Sequence, residues 1–425
     1  MLRSSYRFAP ERYEEVLELL IRDLDGLVAG DRAAYETALR RHPKDGRGFF
    51  SKAEILAGFR HLNRKLSWRR DEQLFADKIR MKPVRTQSGV APVTVLTKPF
   101  PCPARCIFCA SDESMPKSYL SDEPGAQRAA EHRFDPYRQT FSRLRALANI
   151  GHRVDKVELI VLGGTWSSYE ESYQVWFVKR CFDAMNDFRP GRPDDEIHWP
   201  PRPALDYAGV EERVEGERPR RRYNEIVAEL DRRDSGAADQ AAGWEELAAA
   251  QRDNETAGAR CVGLVLETRP DHLDDDEALR LRRLGATKIQ IGLQSLDDEV
   301  LRLNRRGHDV AASRRAVRRL RSFGFKIHAH WMANLHGSTP RNDIADYRRL
   351  FDDPDFRPDE LKIYPCSLIE SAELMRNYRE GSWRPYSRDE LLEVLVACVL
   401  ATPAYCRLTR IPTHHWGARP SCGGC

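Results

Sequence analysis

The chain has 425 residues, 41% of them apolar, which is enough for two or three domains or one large α/β barrel with attachments. No run of about 18 apolar residues occurs, and "MLRSSYRFAPERYEEVLELL" carries charges where a signal peptide needs its apolar segment. A cytoplasmic protein with no membrane association is expected, whose ten cysteines serve as metal ligands or buried thiols rather than disulfides. The net charge of +4 matters less than its distribution, because charged residues make up 32% of the chain.

Residues 1–85 are predicted to form a helical region. "YEEVLELLIRDL" and "SKAEILAGFRHLNRKL" repeat apolar residues at i, i+3, i+4. The stretch 64–85 gathers Arg64, Lys65, Arg69, Arg70, Lys78, Arg80, Lys82 and Arg85, interleaved with Trp68 and Phe75. That mixture suits phosphate contacts and base stacking, although an Arg-rich solvated helix would look the same.

The periodicity then changes. Apolar, β-branched segments lie at 91–98, 156–164, 261–268, 287–295, 325–335 and 360–369, with helical patterns between several of them. Alternating strand and helix predicts an α/β fold with a parallel sheet, extending over 86–370. Residues 189–257 are rich in Pro, charge and Ala, and read as one long, partly mobile connection between the second and third strands. From 371 to 425 a helical linker is expected, strongest at "SRDELLEVLVACVLAT".

"CPARCIFCA" (102–110) follows the first strand and places Cys102, Cys106 and Cys109 at C-x3-C-x2-C spacing. Chemistry in parallel barrels collects at the C-terminal ends of strands. Three close thiolates can wrap one corner of a [4Fe–4S] cluster and leave one iron open. A zinc site completed by a residue such as His132 is the alternative. The next strand ends offer further candidates. They are Gly163, Gly164 and Thr165 in "LGGT"; Glu267 and Arg269 in "LETRP"; Gln294 in "GLQS"; His328 and His330 in "HAHW"; and Lys362 and Tyr364 in "KIYP". His328 and His330 share a strand face. In the tail, His414, His415, Cys422 and Cys425, with Cys406, could supply a zinc site.

The C-x3-C-x2-C motif after a first barrel strand resembles the radical S-adenosylmethionine (SAM) superfamily. That likeness implies a partial (β/α)6 barrel, with the glycine-rich segment contacting SAM. "KPVRTQSGVAPVTVLTKP", "DEPGAQRAAEHRFDPYRQT", "GHRVDKVELIVLGGTW", "CVGLVLETRPD", "IQIGLQS", "NRRGHD" and "DELKIYP" resemble the Elongator catalytic subunit family over roughly residues 60–410. This resemblance implies a tRNA uridine-34 carboxymethyl synthase. A 5′-deoxyadenosyl radical from SAM would take hydrogen from the methyl group of acetyl-CoA, and the resulting carbon radical would add to C5 of the uridine. It also implies that Lys156, in "VDKVE", contacts acetyl-CoA, and that the basic stretch contacts tRNA. The family continues into an acetyltransferase domain, and the sequence stops at Cys425 before one. The isolated chain is therefore expected to cleave SAM but make little modified tRNA, requiring a separate acetyltransferase or Elongator-like subunit. Two other readings are a non-catalytic subunit that docks tRNA and SAM, and a zinc-dependent RNA-binding protein.

Overall fold

The computed structural model describes residues 8–28, 31–80, 83–189, 223–233 and 240–411. Four helices come first: α1 (Glu14–Asp25), α2 (Arg32–Arg41), α3 (Lys52–Lys65) and α4 (Glu72–Ile79). α1 buries Leu17, Leu20, Ile21 and Leu24, one stripe of an amphipathic helix. α3 starts at a capping box in which Ser51 and Glu54 satisfy each other's backbone N–H groups. The two helices touch at Gly58, where a Cβ would stand 2.8 Å from Leu17 Cδ1. With Phe59 stacked on Phe75 at 4.3 Å, these helices own a core separate from that of the sheet.

The sheet region opens with β1 (Ala91–Leu96), α5 (Pro124–Glu131), α6 (Pro136–Asn149), β2 (Lys156–Leu162), α7 (Glu171–Asp187), α8 (Tyr223–Arg233), α9 (Trp244–Asn254) and β3 (Arg260–Thr268). It continues through α10 (Asp275–Arg283), β4 (Lys288–Gln294), α11 (Asp298–Leu303), α12 (Val310–Ser322) and β5 (Lys326–Ala333). It closes with α13 (Pro340–Asp352), β6 (Glu360–Pro365), α14 (Leu374–Arg379), α15 (Arg388–Ala401) and β7 (Arg407–Arg410). Among the described residues the seven strands are parallel and lie in chain order.

One ion-pair network shows that the sheet curls. Lys288 on β4 donates to Glu158 on β2 at 2.8 Å and to Glu360 on β6 at 2.9 Å. In a flat sheet those carboxylates would be about 19 Å apart, four strand spacings. A single ammonium can bridge them only if β2 through β6 wrap around a common lumen. The sheet is therefore a curled partial barrel, as expected, with helices covering its outer face.

Two expectations need correction. The C-terminal region holds a seventh strand, β7, whose Arg407 pairs with Glu360 of β6. Cys406, a zinc candidate from the sequence, is buried in the main core, and burial pushes its thiol up to about 12. His414, His415, Cys422 and Cys425 lie outside the described residues. Within the long connection 189–257, α9 is part of the body: it buries Leu247 and Ala250 in the core shared with α7. Residues 190–222 and 234–239 lie outside the described residues.

Candidate active site: a cysteine loop above a polar lumen

The loop after β1 carries the three cysteines over the C-terminal mouth of the barrel. Ile107 anchors it: its N–H donates to Asn304 O at 3.3 Å, and its carbonyl accepts from Leu374 N–H at 2.8 Å. Ile107 and Phe108 are buried with Leu335, Leu374 and Trp383, an apolar patch that walls the loop from water. Cys106 is buried, whereas Cys102 and Cys109 are half-buried. Ser118 Oγ donates to Cys109 Sγ at 3.0 Å. Two guanidiniums reach Cys106 Sγ, from Arg306 at 3.4 Å and Arg269 at 3.7 Å. The hydrogen bond from Cys109, and then the arginine charges, hold the Cys106 thiol well below its ordinary value despite burial.

Helix α8, from the long connection, closes the loop's other end. Asn224 donates from Nδ2 to Cys102 O at 2.7 Å and accepts Cys102 N–H at Oδ1, 3.0 Å away. Tyr223 OH donates to Met115 O at 2.8 Å, and Lys98 pairs with Asp231 at 2.7 Å. The loop is thus held from both sides.

The glycine pair at the end of β2 has a steric reason. Gly163 has φ +140°, and a Cβ on it would stand 1.7 Å from Thr97 Oγ1. Only glycine lets the turn lie against the start of the cysteine loop. Tyr169 OH fixes that junction, 2.7 Å from Thr97 Oγ1 and donating to Lys98 O at 2.8 Å. Gly164, at φ +96°, has open space beside it apart from Lys117 O at 3.7 Å. Thr165 is buried and leads into the next turn.

Below the loop the lumen is polar. Gln290 Oε1 accepts from His330 Nε2 at 3.0 Å and from Lys362 Nζ. His330 Nδ1 lies 3.7 Å from Glu267 Oε1, whose other oxygen accepts from Tyr119 OH at 3.1 Å. His328 Nε2 meets Thr409 Oγ1 at 2.8 Å, a contact that needs the unanticipated β7. Tyr364 packs against the His330 ring at 5.7 Å. Burial, with Lys362 nearby, pushes His328 down to about 2 and His330 well below the histidine range, so both rings are neutral. Burial raises the Glu267 carboxyl.

Lys362 carries a testable consequence. Burial drives its ammonium down to about 8, from an ordinary 10.5. Folding therefore disfavours the charged form. The penalty is complete below about pH 8 and fades as pH rises toward 10.5. Lys362→Met removes it. The variant's stability relative to the parent is expected to fall between pH 7 and pH 10, a swing on the order of 3 kcal/mol. Thermal unfolding of both proteins at the two pH values checks this; a constant difference would mean that water reaches the amine.

The structure brings together most, but not all, of the candidates. The three cysteines, Gly163, Gly164, Thr165, Glu267, Arg269, Gln294, His328, Lys362 and Tyr364 lie on strands or loops around one mouth and lumen. Glu267 and Arg269 of "LETRP" meet different partners. Arg269 is tied to Asp271 at 2.7 Å and to Cys106, while Glu267 faces Tyr119 and His330. Lys156 is exposed at the first position of β2, the end opposite the cysteine loop, about 20 Å down the strand. His132 caps the end of α5, and among the described residues no group of three or more His, Cys, Asp or Glu is packed so as to hold a metal ion.

The basic stretch is partly spent inside the molecule. Lys65 pairs with Glu14, Arg70 and Lys78 with Asp25, and Arg80 with Asp77. Arg64, Arg69 and Arg85 are exposed, and Lys82 lies outside the described residues. Sequence reasoning singled out no individual role for Arg306, Asn224, Tyr119, Gln290 or Lys288. Arg306 and Gln290 had a signal, inside "NRRGHD" and "IQIGLQS".

The residues present suit an iron–sulfur cluster: three cysteines lie on one short loop, and buried N–H donors are aimed at one of them. The radical SAM superfamily model matches residues 234–349, and a radical SAM C-terminal domain matches 358–416. Fold and matches together show a radical SAM domain. More narrowly, the chain is a homologue of the tRNA uridine(34) acetyltransferases and Elongator complex protein 3. It is 35% identical over 372 residues to the tRNA uridine(34) acetyltransferase of Methanocaldococcus infernus, covering 86% of this chain and 58% of that protein. Mouse Elongator complex protein 3 is 31% identical over 350 residues, 80% of this chain and 54% of its own length. The solved Methanocaldococcus infernus Elp3, lacking its N-terminus, superposes with a TM-score of 0.55 at 32% identity, over 76% of this chain and 56% of that one. The chain thus spans a little over half the length of these relatives.

Proposed function

We propose that this chain is the radical SAM part of an enzyme that modifies uridine 34 of tRNA, adding to C5 a carboxymethyl group drawn from acetyl-CoA. The observation that carries the reading is the three-cysteine loop, held by Arg306, Arg269 and Asn224 over a polar lumen. Cysteines 102, 106 and 109 would hold a [4Fe–4S] cluster, with SAM beside it near Gly163 and Gly164. Bound there, cluster and SAM supply one-electron cleavage of SAM.

The chain's own residues orient and shield. Ile107 and Phe108 keep water from the sulfurs. The neutral His328 and His330, the Gln290 amide, the Glu267 carboxyl and the Lys362 amine line the lumen with hydrogen-bonding groups. Such a lining suits the hydrogen-bonding edge of a heterocycle taken out of its stack, as a uracil ring would be. Exposed Arg64, Arg69 and Arg85 remain available for RNA phosphates. The outer face of α15 leaves Leu392, Val396, Val399 and Leu400 exposed, an apolar surface that suits a protein partner. Lys156, at the end of β2 opposite the cysteine loop, gives no support for acetyl-CoA contact beside that loop.

Nucleoside mass spectrometry tests the reading. Anaerobically reconstituted protein is given SAM, dithionite, acetyl-CoA, tRNA and, in trans, the part of the Methanocaldococcus infernus relative that this chain does not match. SAM-dependent 5-carboxymethyluridine at position 34 is the expected product, with little formed by the chain alone. Cleavage of SAM without any modified nucleoside would favour a tRNA- and SAM-docking subunit.

A further inference from the structure

We infer that Arg306 is a positioning residue for the cluster, acting through Cys106 to raise its reduction potential; this rests on the radical SAM reading above. Arg306 is only 6% exposed. Its Nη1 donates to Cys106 Sγ at 3.4 Å and its Nη2 to Gly292 O at 2.7 Å. Its Nε is buried without a hydrogen-bond partner among the described residues.

The charges explain the pairing. Arg269, alongside, is neutralised by two hydrogen bonds to Asp271, at 3.0 and 2.7 Å. Arg306 makes no ion pair with a carboxylate among the described residues. A buried guanidinium without an anion is costly. The anion facing Arg306 is therefore the Cys106 sulfur, as a thiolate or as a cluster ligand, and the unpartnered Nε is left for a further acceptor.

The backbone is shaped to hold this arrangement. A Cβ at Gly292 would stand 2.6 Å from Arg306 Nη2, and one at Gly307, where φ is +86°, would stand 3.2 Å from Arg269 Nη2. Arg269 Nη2 also donates to the Arg306 carbonyl, which locks the two arginines together. An electron arriving on the cluster adds negative charge beside a fixed, buried cation. The reduced state gains more from that cation than the oxidised state, so the potential rises.

Redox titration followed by electron paramagnetic resonance, on reconstituted full chain without SAM, tests the inference. Arg306→Gln is expected to disfavour reduction about tenfold, a shift of about 59 mV to more negative potential for one electron. Gly292→Ala, which displaces Arg306 without deleting it, is expected to shift in the same direction by several-fold, and it decides the matter if the glutamine variant holds no cluster. Arg305→Gln, altering an exposed neighbour paired with Glu373, should leave the potential where it is. Full cluster content with an unchanged potential in the arginine and glycine variants would overturn the inference. Failure of the parent chain to assemble any cluster would instead count against the radical SAM reading itself.

Discussion

Lys288→Met is expected to destabilise the protein by about 3–5 kcal/mol, the usual cost of removing one partner from a buried ionic network. Lys288 is 8% exposed and joins Glu158 and Glu360 across the lumen. Burial opposes its charge, but the hydrogen bonds to both carboxylates hold its pKa above the ordinary 10.5. Its contribution is therefore complete at neutral pH and is lost only as pH rises through that raised value. Without it, two carboxylates face each other in the lumen. A fall in melting temperature of roughly 5 °C is expected at pH 7, and a smaller one near pH 5, where the stranded carboxylates take up protons. Adding Glu360→Gln should recover part of the loss. A fall of only a degree or two would mean that the lumen is open to water and that the curl of the sheet does not depend on this bridge.

Cys106→Ala is expected to abolish cluster assembly, from about four irons per chain to fewer than one. Cys106 is the cysteine that both arginines address, so its loss removes a ligand and strands a buried cation. Cys261→Ala is the matched control. That thiol sits on β3 and donates to Gly263 O at 3.4 Å, away from the loop, and its loss should leave the iron content unchanged. Equal iron in both variants would place the cluster elsewhere in the chain.

The barrel was legible because parallel strands buried on both faces read as β-branched runs. All six such runs form strands. β7 was not legible: "RLTR" is four residues with one aliphatic side chain, and only its pairing with β6 makes it a strand. The three-cysteine loop was visible in the sequence because its C-x3-C-x2-C spacing is local. Arg306 and Asn224 were not, since 200 positions separate Arg306 from Cys106 and 122 separate Asn224 from Cys102. The basic stretch was overread for a similar reason. Composition shows the cations, but Glu14 and Asp25, which neutralise three of them, come from a different helix. Lys156 illustrates the limit of a motif: the string marks the residue, but strand direction puts it at the far end of the barrel.

The central claim is that the cysteine loop houses a working radical SAM site. Release of 5′-deoxyadenosine by anaerobically reconstituted chain, with SAM, dithionite and tRNA, tests it most directly, with Cys106→Ala alongside. The account predicts release by the parent and none above background by the variant. A cluster-loaded parent that leaves SAM intact, or a variant that cleaves it equally well, would contradict it.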